Sequence, residues 1–287
     1  MSAAAAPVLS AAAAGGGSRK RARRESTEHS EFSALGNWEE AGTRGLSPAE
    51  VTLPDARLAL LPPAVLAGAR DALDIGCGSG ALAISLGERR DLAPELRCVL
   101  GIDADPVLVA RARELLAHRR RESALPPPSA ALPLSVRLQL AASGASLPPP
   151  AAAAAAGPDV LFRAEDFLAQ VPGGAGSSPP LHAHRAASFD VVFCMRTTKF
   201  VHLRGGDAAL LLLFRLVHRV LRAGGRFVLQ ANAWRSYCGG KALRMGVAPA
   251  ALRALRLRPA GFERHLLDTV RFASAERLPG GITVFIK

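Results

Sequence analysis

The strongest chemistry in the sequence sits where short apolar runs end. Asp74-Ile75-Gly76-Cys77-Gly78-Ser79-Gly80 closes one such run and opens a helical pattern. Glycines at that junction let the chain turn sharply and let a ligand approach the backbone, where the first N–H groups of a helix are free to bond it. A dinucleotide loop has the form G-x-G-x-x-G and grips a pyrophosphate; here the form is G-x-G-x-G preceded by an acid. The next run ends in Gly101-Ile102-Asp103-Ala104-Asp105, which puts the Asp103 carboxylate at a strand tip, where it can accept from both hydroxyls of a ribose. Glu165-Asp166-Phe167 ends the run after that and suits the edge and face of an adenine ring. Each has a plainer explanation when taken singly, Asp105 before Pro106 as a helix cap and Phe167 as core. Their order at the ends of consecutive strands favours one nucleoside-bearing ligand.

The elements that must position these groups alternate. Arg70 to Ile75 reads as a short buried strand, Gly80 to Glu88 as a helix, Arg97 to Ile102 as a strand, and Pro106 to Arg121 as an amphipathic helix with Pro in its first turn. Strands near Val160 to Arg163 and Phe189 to Met195 follow, then a helix from Asp207 to Leu221, a Gly224-Gly225 stop and a strand from Arg226 to Gln230. This βαβα order predicts an α/β fold, a mostly parallel sheet of Rossmann-like type with helices on both faces and its ligand beyond the carboxyl ends of the strands. Residues 1–30 are low complexity and read as a disordered basic tail; residues 31–287 read as one domain interrupted by low-complexity insertions at 121–158 and 171–187, with a short strand near Leu134 to Leu140.

The chain has 287 residues, 49% of them hydrophobic, enough for a globular core. No run of about 18 apolar residues free of charge and of Pro or Gly occurs, which argues against a membrane partner. The four cysteines, Cys77, Cys98, Cys194 and Cys238, lack C-x-x-C spacing, so reduced thiols are expected rather than zinc or disulfides, and His182 with His184 lacks further clustered ligands, so no metal is expected. Lys and Arg total 36 against 24 Asp and Glu, a net charge of +12. Nucleic acid is the first partner such an excess suggests. Nearly all the cations are Arg in a chain dense in Ala, Gly and Pro, a bias that base composition of the coding sequence also produces. The cluster Arg19-Lys20-Arg21-Ala22-Arg23-Arg24 reads as a nuclear localisation signal or an auxiliary nucleic-acid contact, placing the protein in nucleus or cytoplasm with the nucleus favoured.

The acid followed by G-x-G-x-G resembles motif I of class I S-adenosylmethionine methyltransferases. Phe189 to Leu203, containing Met195-Arg196-Thr197-Thr198-Lys199-Phe200-Val201-His202-Leu203 and followed by Gly206-Asp207, resembles the T-K-W-V-H-L-x-x-G-D segment of the bicoid-interacting RNA methyltransferases. Gly36-Asn37-Trp38, Arg57-Leu58 with Leu61-Pro62, and Ala233-Trp234-Arg235-Ser236-Tyr237 are similar to further segments of that family. The resemblance implies S-adenosyl-L-methionine as cofactor, held by Arg57, Asp74, Gly76, Cys77, Gly78, Gly80, Asp103, Ala104, Asp166, Phe167 and Met195. It implies methyl transfer to the 5′-phosphate of a small non-coding RNA, with Lys199 and His202 as catalytic residues and Trp38, Arg196, Trp234 and Tyr237 at the RNA end. Departures are Phe200 for the family's tryptophan, no tyrosines after Trp38, and Gln230-Ala231-Asn232-Ala233 where E-P-Q-P is usual. Two other readings stay open: a class I methyltransferase acting on protein or a small molecule, and a catalytically weak RNA-binding subunit on the same scaffold. On the plainer side, Lys199 reads as a solvated charge, His202 as a loop hydrogen-bonder, and Trp234 and Tyr237 as loop packing.

Overall fold

The computed structural model describes residues 51–122, 157–169, 185–237 and 247–287. The basic tail, Trp38, Cys238, the strand near Leu134 to Leu140 and most of both insertions lie outside the described residues. Seven strands form one sheet: β1 (Asp71–Ile75), β2 (Cys98–Asp103), β3 (Asp159–Ala164), β4 (Phe189–Met195), β5 (Leu221–Gln230), β6 (Ser274–Leu278) and β7 (Ile282–Ile286), in the order β3-β2-β1-β4-β5-β7-β6. β1 to β5 are parallel and β7 pairs antiparallel with both β5 and β6. Strand order reverses between β1 and β4, which opens the crevice where such sheets bind ligands.

Two apolar layers hold the sheet, and period-two alternation assigns side chains to them. Along β4, Val191, Phe193 and Met195 face the layer made with α1 (Ala81–Glu88) and α2 (Pro106–Glu122), which bring Leu82, Ile84, Leu86, Val109 and Leu115. Val192 and Cys194 face the other, where α3 (Thr198–Val220) brings Leu210, Leu213, Phe214 and Val217. The short helices α4 (Pro249–Ala254) and α5 (Phe262–His265) follow, and Phe262 joins the second layer.

Three elements differ from the sequence expectation. α3 begins at Thr198, nine residues before Asp207, because the Phe200 N–H donates to the Thr197 carbonyl (3.0 Å) directly after β4 ends. It is two helical segments joined at Gly206, whose φ of 67° and ψ of −166° are not helical. β5 begins at Leu221, so Gly224 and Gly225 lie inside an irregular strand rather than stopping a helix, and the register of β4 against β5 shifts between Phe189 and Val191. The β6–β7 hairpin is a finding of the structure, since β6 (SAERL) is a partly exposed edge strand with no apolar alternation to announce it.

One polar clamp ties β1, β4 and β5 together. Asp190 Oδ2 accepts the N–H groups of Arg70 (2.8 Å) and Asp71 (2.9 Å) and Arg222 Nη1 (2.7 Å), while Arg222 Nη2 reaches Asp71 (2.8 Å). Asp190→Ala strips the acceptor from three donors and should cost about 2 kcal/mol, read as a lower denaturation midpoint at unchanged slope. An unchanged midpoint would remove the clamp from the account of stability.

Candidate functional site

The loop after β1 folds back on the tip of β2. The N–H groups of Gly76 and Cys77 both donate to the Ile102 carbonyl (2.8 and 3.0 Å), and the Gly78 N–H donates to Asp103 Oδ2 (2.9 Å). Asp103 Oδ1 accepts from the Asp105 N–H (2.9 Å). A carboxylate offers about four acceptor positions, so this 5% exposed side chain, already held from below, retains capacity for a pair of hydroxyls. Burial lifts its carboxyl above the ordinary value despite the N–H donors of Asp105 and Gly78.

The glycines divide by what lies beside them. Gly76 (φ 72°) abuts the acceptor side: a Cβ there would stand 2.3 Å from Thr197 Oγ1. A side chain on Gly78 would meet nothing within 4 Å, so this is the open wall of the loop. Gly80 turns inward, its Cβ position 2.6 Å from the Phe162 ring and its N–H committed to the Cys77 carbonyl (2.9 Å), so it packs the loop on β3 and offers no donor to a ligand. Cys77 is buried, and burial drives its thiol well above the usual range, so it lines the loop as an inert group. Cys98 and Cys194 are likewise buried free thiols.

Asp74 is the most unusual group here. It is 2% exposed and its carboxylate accepts no hydrogen bond from another described residue; burial pushes its carboxyl up to about 7, with the Arg57 guanidinium pulling the other way. Arg57 is itself held by Asp55, which takes Nε at 2.9 Å and pairs with Nη2. A buried acid flanked by a fixed cation, an acceptor pair at Asp103 and an open glycine wall fit S-adenosylmethionine, whose ribose needs acceptors and whose methionine end carries both charges. Ala104 is half-buried beside Asp103. Asp166 caps its own turn by accepting the Leu168 N–H (3.0 Å) and pairs with Arg204 (3.1 Å), while Phe167 is buried in the α3-side core with Ile102 and Leu210. Met195 ends β4, buried in the opposite layer.

The acceptor-side residues gather at the start of α3 and in the turn after β5. Arg196 leaves β4 in the left-handed region (φ 61°), its N–H on the Gln230 carbonyl (2.7 Å) and its side chain exposed. Thr197 Oγ1 donates to the Ile75 carbonyl (3.2 Å), joining this turn to the glycine loop. Lys199 and His202 stand on the first turns of α3 and not on a loop, and both are buried, at 5% and 0% exposure. Lys199 Nζ lies 5.0 Å from the Phe200 ring centroid, and its N–H donates to Asn232 Oδ1 (3.3 Å). His202 Nε2 meets Asp207 Oδ1 at 2.6 Å. Burial raises the Asp207 carboxyl, but the His202 hydrogen bond and the N–H groups of Arg256 and Leu257 outweigh it and leave the group below its ordinary value. Ionised Asp207 only accepts, so Nε2 carries the hydrogen. Tyr237 is fully buried, stacked on Trp234 (4.8 Å between centroids) and edge-on to His202 (5.6 Å). Asp207 is the group the sequence reading left without a role, although it stands in the quoted G-D pair.

Strand order, the glycine loop after β1 and the acid at the tip of β2 define a class I methyltransferase fold. The family model described as "Bicoid-interacting protein 3 (Bin3)" matches residues 189–281. The chain is 30% identical over 253 residues to the mouse (Mus musculus) 7SK snRNA methylphosphate capping enzyme, covering 77% of this chain and 35% of the relative. It is 27% identical over 248 residues to a probable RNA methyltransferase of Arabidopsis thaliana, covering 80% and 70%. Against the U6 snRNA methylphosphate capping enzyme Amus of Drosophila melanogaster it is 26% identical over 196 residues, covering 68% and 52%. These matches support a relation to the bicoid-interacting protein 3 methyltransferases, and the chain spans about a third of the mouse relative's length and about half of the fly relative's.

Asp103→Ala should weaken S-adenosylmethionine binding by about 1.5 to 3 kcal/mol for each charge-assisted hydrogen bond lost, measured by calorimetry; unchanged affinity would remove Asp103 from the cofactor site. The Asp74 carboxyl couples stability to pH. Its folded value of about 7 stands above the ordinary 3.8, so its ionisation leaves stability untouched below pH 3.8 and lowers it progressively as pH rises through 7. Asp74→Asn should therefore lose less stability than the parent between pH 4 and pH 8, followed by denaturant unfolding without cofactor. Equal losses in both proteins would contradict the raised value.

Proposed function

We propose that this chain is an S-adenosylmethionine-dependent RNA methyltransferase that transfers a methyl group to the 5′-phosphate of a small non-coding RNA. The observation that carries the proposal is the contact between Gly76 and Thr197, which sets the cofactor loop against the turn from which α3 departs with Lys199 and His202 on its first turns. The names of the mouse and fly relatives, both methylphosphate capping enzymes, support the choice of acceptor.

S-adenosylmethionine supplies an electrophilic methyl group when bound. Asp103 and Asp166 hold its nucleoside end and Asp74 its charged end. A phosphate monoester is already anionic near neutral pH, its second pKa being about 6, so no residue need remove a proton. The protein's contribution is to hold the oxygen in line and to offset the charge around it. Lys199 and Arg196 supply positive charge on the α3 side, and His202, fixed on Asp207 through Nε2, holds the first turns of α3 in place beneath them. The Arg excess serves the RNA strand, and the Arg19 to Arg24 cluster directs the protein to the nucleus.

The burial of Lys199, His202 and Tyr237 favours a second reading, an RNA-binding subunit in which these residues pack the acceptor helix. Among the described residues no group of three His, Cys, Asp or Glu could hold a metal ion, and no helix is long and apolar enough to cross a membrane.

Methyl transfer from labelled cofactor should occur with 5′-phosphorylated small RNA, fall at least tenfold in Lys199→Met, and vanish after phosphatase treatment. Equal transfer to dephosphorylated RNA would place the acceptor on a base or ribose. Cofactor binding with no transfer to either RNA would establish the second reading.

A further inference from the structure

The segment between α4 and α5 carries a cation outside every motif of the site. Arg258 lies over Trp234, its Cζ 3.5 Å from the ring centroid. Tyr237 stacks on the same indole at 4.8 Å with 25° between planes. A guanidinium and a phenol ring this near one centroid overlap if they share a face, so they occupy opposite faces and Trp234 has only its edge open. In this arrangement the indole stacks on no nucleobase.

The guanidinium's face is spent on the indole, and its N–H edge is not. Arg57, Arg89, Arg204, Arg222 and Arg277 each hold a carboxylate, whereas Arg258, exposed, makes no side-chain hydrogen bond or ion pair to another described residue. Its backbone is fixed. Asp207 accepts the N–H groups of Arg256 (2.9 Å) and Leu257 (3.3 Å) through the carboxylate that also takes His202 Nε2. Residues five apart do not face each other on a regular helix; Asp207 reaches His202 because the helix breaks at Gly206. Arg258, Trp234, Tyr237, His202 and Asp207 thus form a closed ring with a permanent cation at its outer end.

We propose that Arg258 is a phosphate-binding residue of the acceptor site: laid flat on Trp234, it presents its fork of N–H donors to a phosphate of the RNA strand that enters there. The inference rests on the reading of the chain as one that acts on an RNA end. A planar guanidinium with one face packed loses little further freedom when it takes two phosphate oxygens side by side. Trp234 is then the support of the contact rather than a platform for a base.

The test uses the full chain and short oligoribonucleotides with a 5′-phosphate or a 5′-hydroxyl, with binding measured against salt and methyl transfer run in parallel. Arg258→Ala should weaken binding about tenfold at low salt and flatten the plot of log affinity against log salt by about 0.7, one contact on a single strand. It should raise KM for RNA more than it lowers kcat, and leave S-adenosylmethionine affinity at the parent value. Arg258→Lys should keep the slope, because the charge stays, and lose part of the affinity with the fork. An effect confined to the 5′-phosphorylated RNA assigns Arg258 to the terminal phosphate; an equal effect on both assigns it to a phosphodiester. If Arg258 only shields Trp234, both variants lower the unfolding temperature alike and leave RNA affinity and slope unchanged, which overturns the proposal. Phosphate binding through Arg258 without methyl transfer would sink the catalytic reading and leave this assignment standing, while transfer indifferent to Arg258→Ala would sink the assignment alone.

Discussion

At Gly76 the loop leaving β1 passes so near Thr197 that a single Cβ would stand 2.3 Å from its hydroxyl. β1 and β4 are parallel neighbours, Asp74 level with Phe193, so the two loops leave the same edge of the sheet side by side. The Thr197 hydroxyl on the Ile75 carbonyl then locks one loop to the other. That contact fixes where α3 begins, and with it the distance between the carboxylates of the cofactor side and the cations of the acceptor side. Its cost is taken up locally: Arg196 adopts a left-handed conformation that costs an ordinary residue about 1 to 2 kcal/mol. The Arg196 N–H on the Gln230 carbonyl holds it there.

Charge is sorted across this junction. Asp74, Asp103 and Asp105 are buried on the β1–β2 side, in a chain whose net charge is +12. Lys199, Arg196 and Arg258 stand on the β4–β5 side. Burying a carboxylate without a partner is expensive, and the rise of Asp74 to about 7 records that expense. Asp103 escapes part of it through two backbone N–H donors. The site is therefore asymmetric before any ligand arrives, acidic at the ends of β1 and β2 and basic around the start of α3.

Asp207 links the acceptor helix to the rest of the molecule. A single carboxylate takes an imidazole nitrogen and two backbone N–H groups from residues 256–257, and so ties α3 to the segment leading into α5. It stays ionised because those donors outweigh its burial. The helix break at Gly206 is what allows it, so an apparent defect in α3 is the hinge on which the acceptor side is assembled.

The sequence by itself determined the sheet's parallel half and the glycine turn after β1. β4 falls at Phe189–Met195 as its apolar run predicts, and β1, β2 and β3 agree within a residue or so, because buried parallel strands are short continuous apolar runs whose ends are local signals. The glycine loop and Asp103 were legible for the same reason: backbone turns and strand tips are properties of neighbouring residues. Tertiary structure alone decided the rest. The antiparallel β6–β7 edge depends on pairing with β5 rather than on its own pattern. Gly80 packs against Phe162 instead of a ligand because α1 and β3, far apart in sequence, press together there. Lys199, His202 and Tyr237 are buried, and Arg258 lies on Trp234, because residues distant along the chain converge on α3. A motif names which residues meet a site, but burial and stacking are set by whatever the fold brings against them, and no local pattern carries that information.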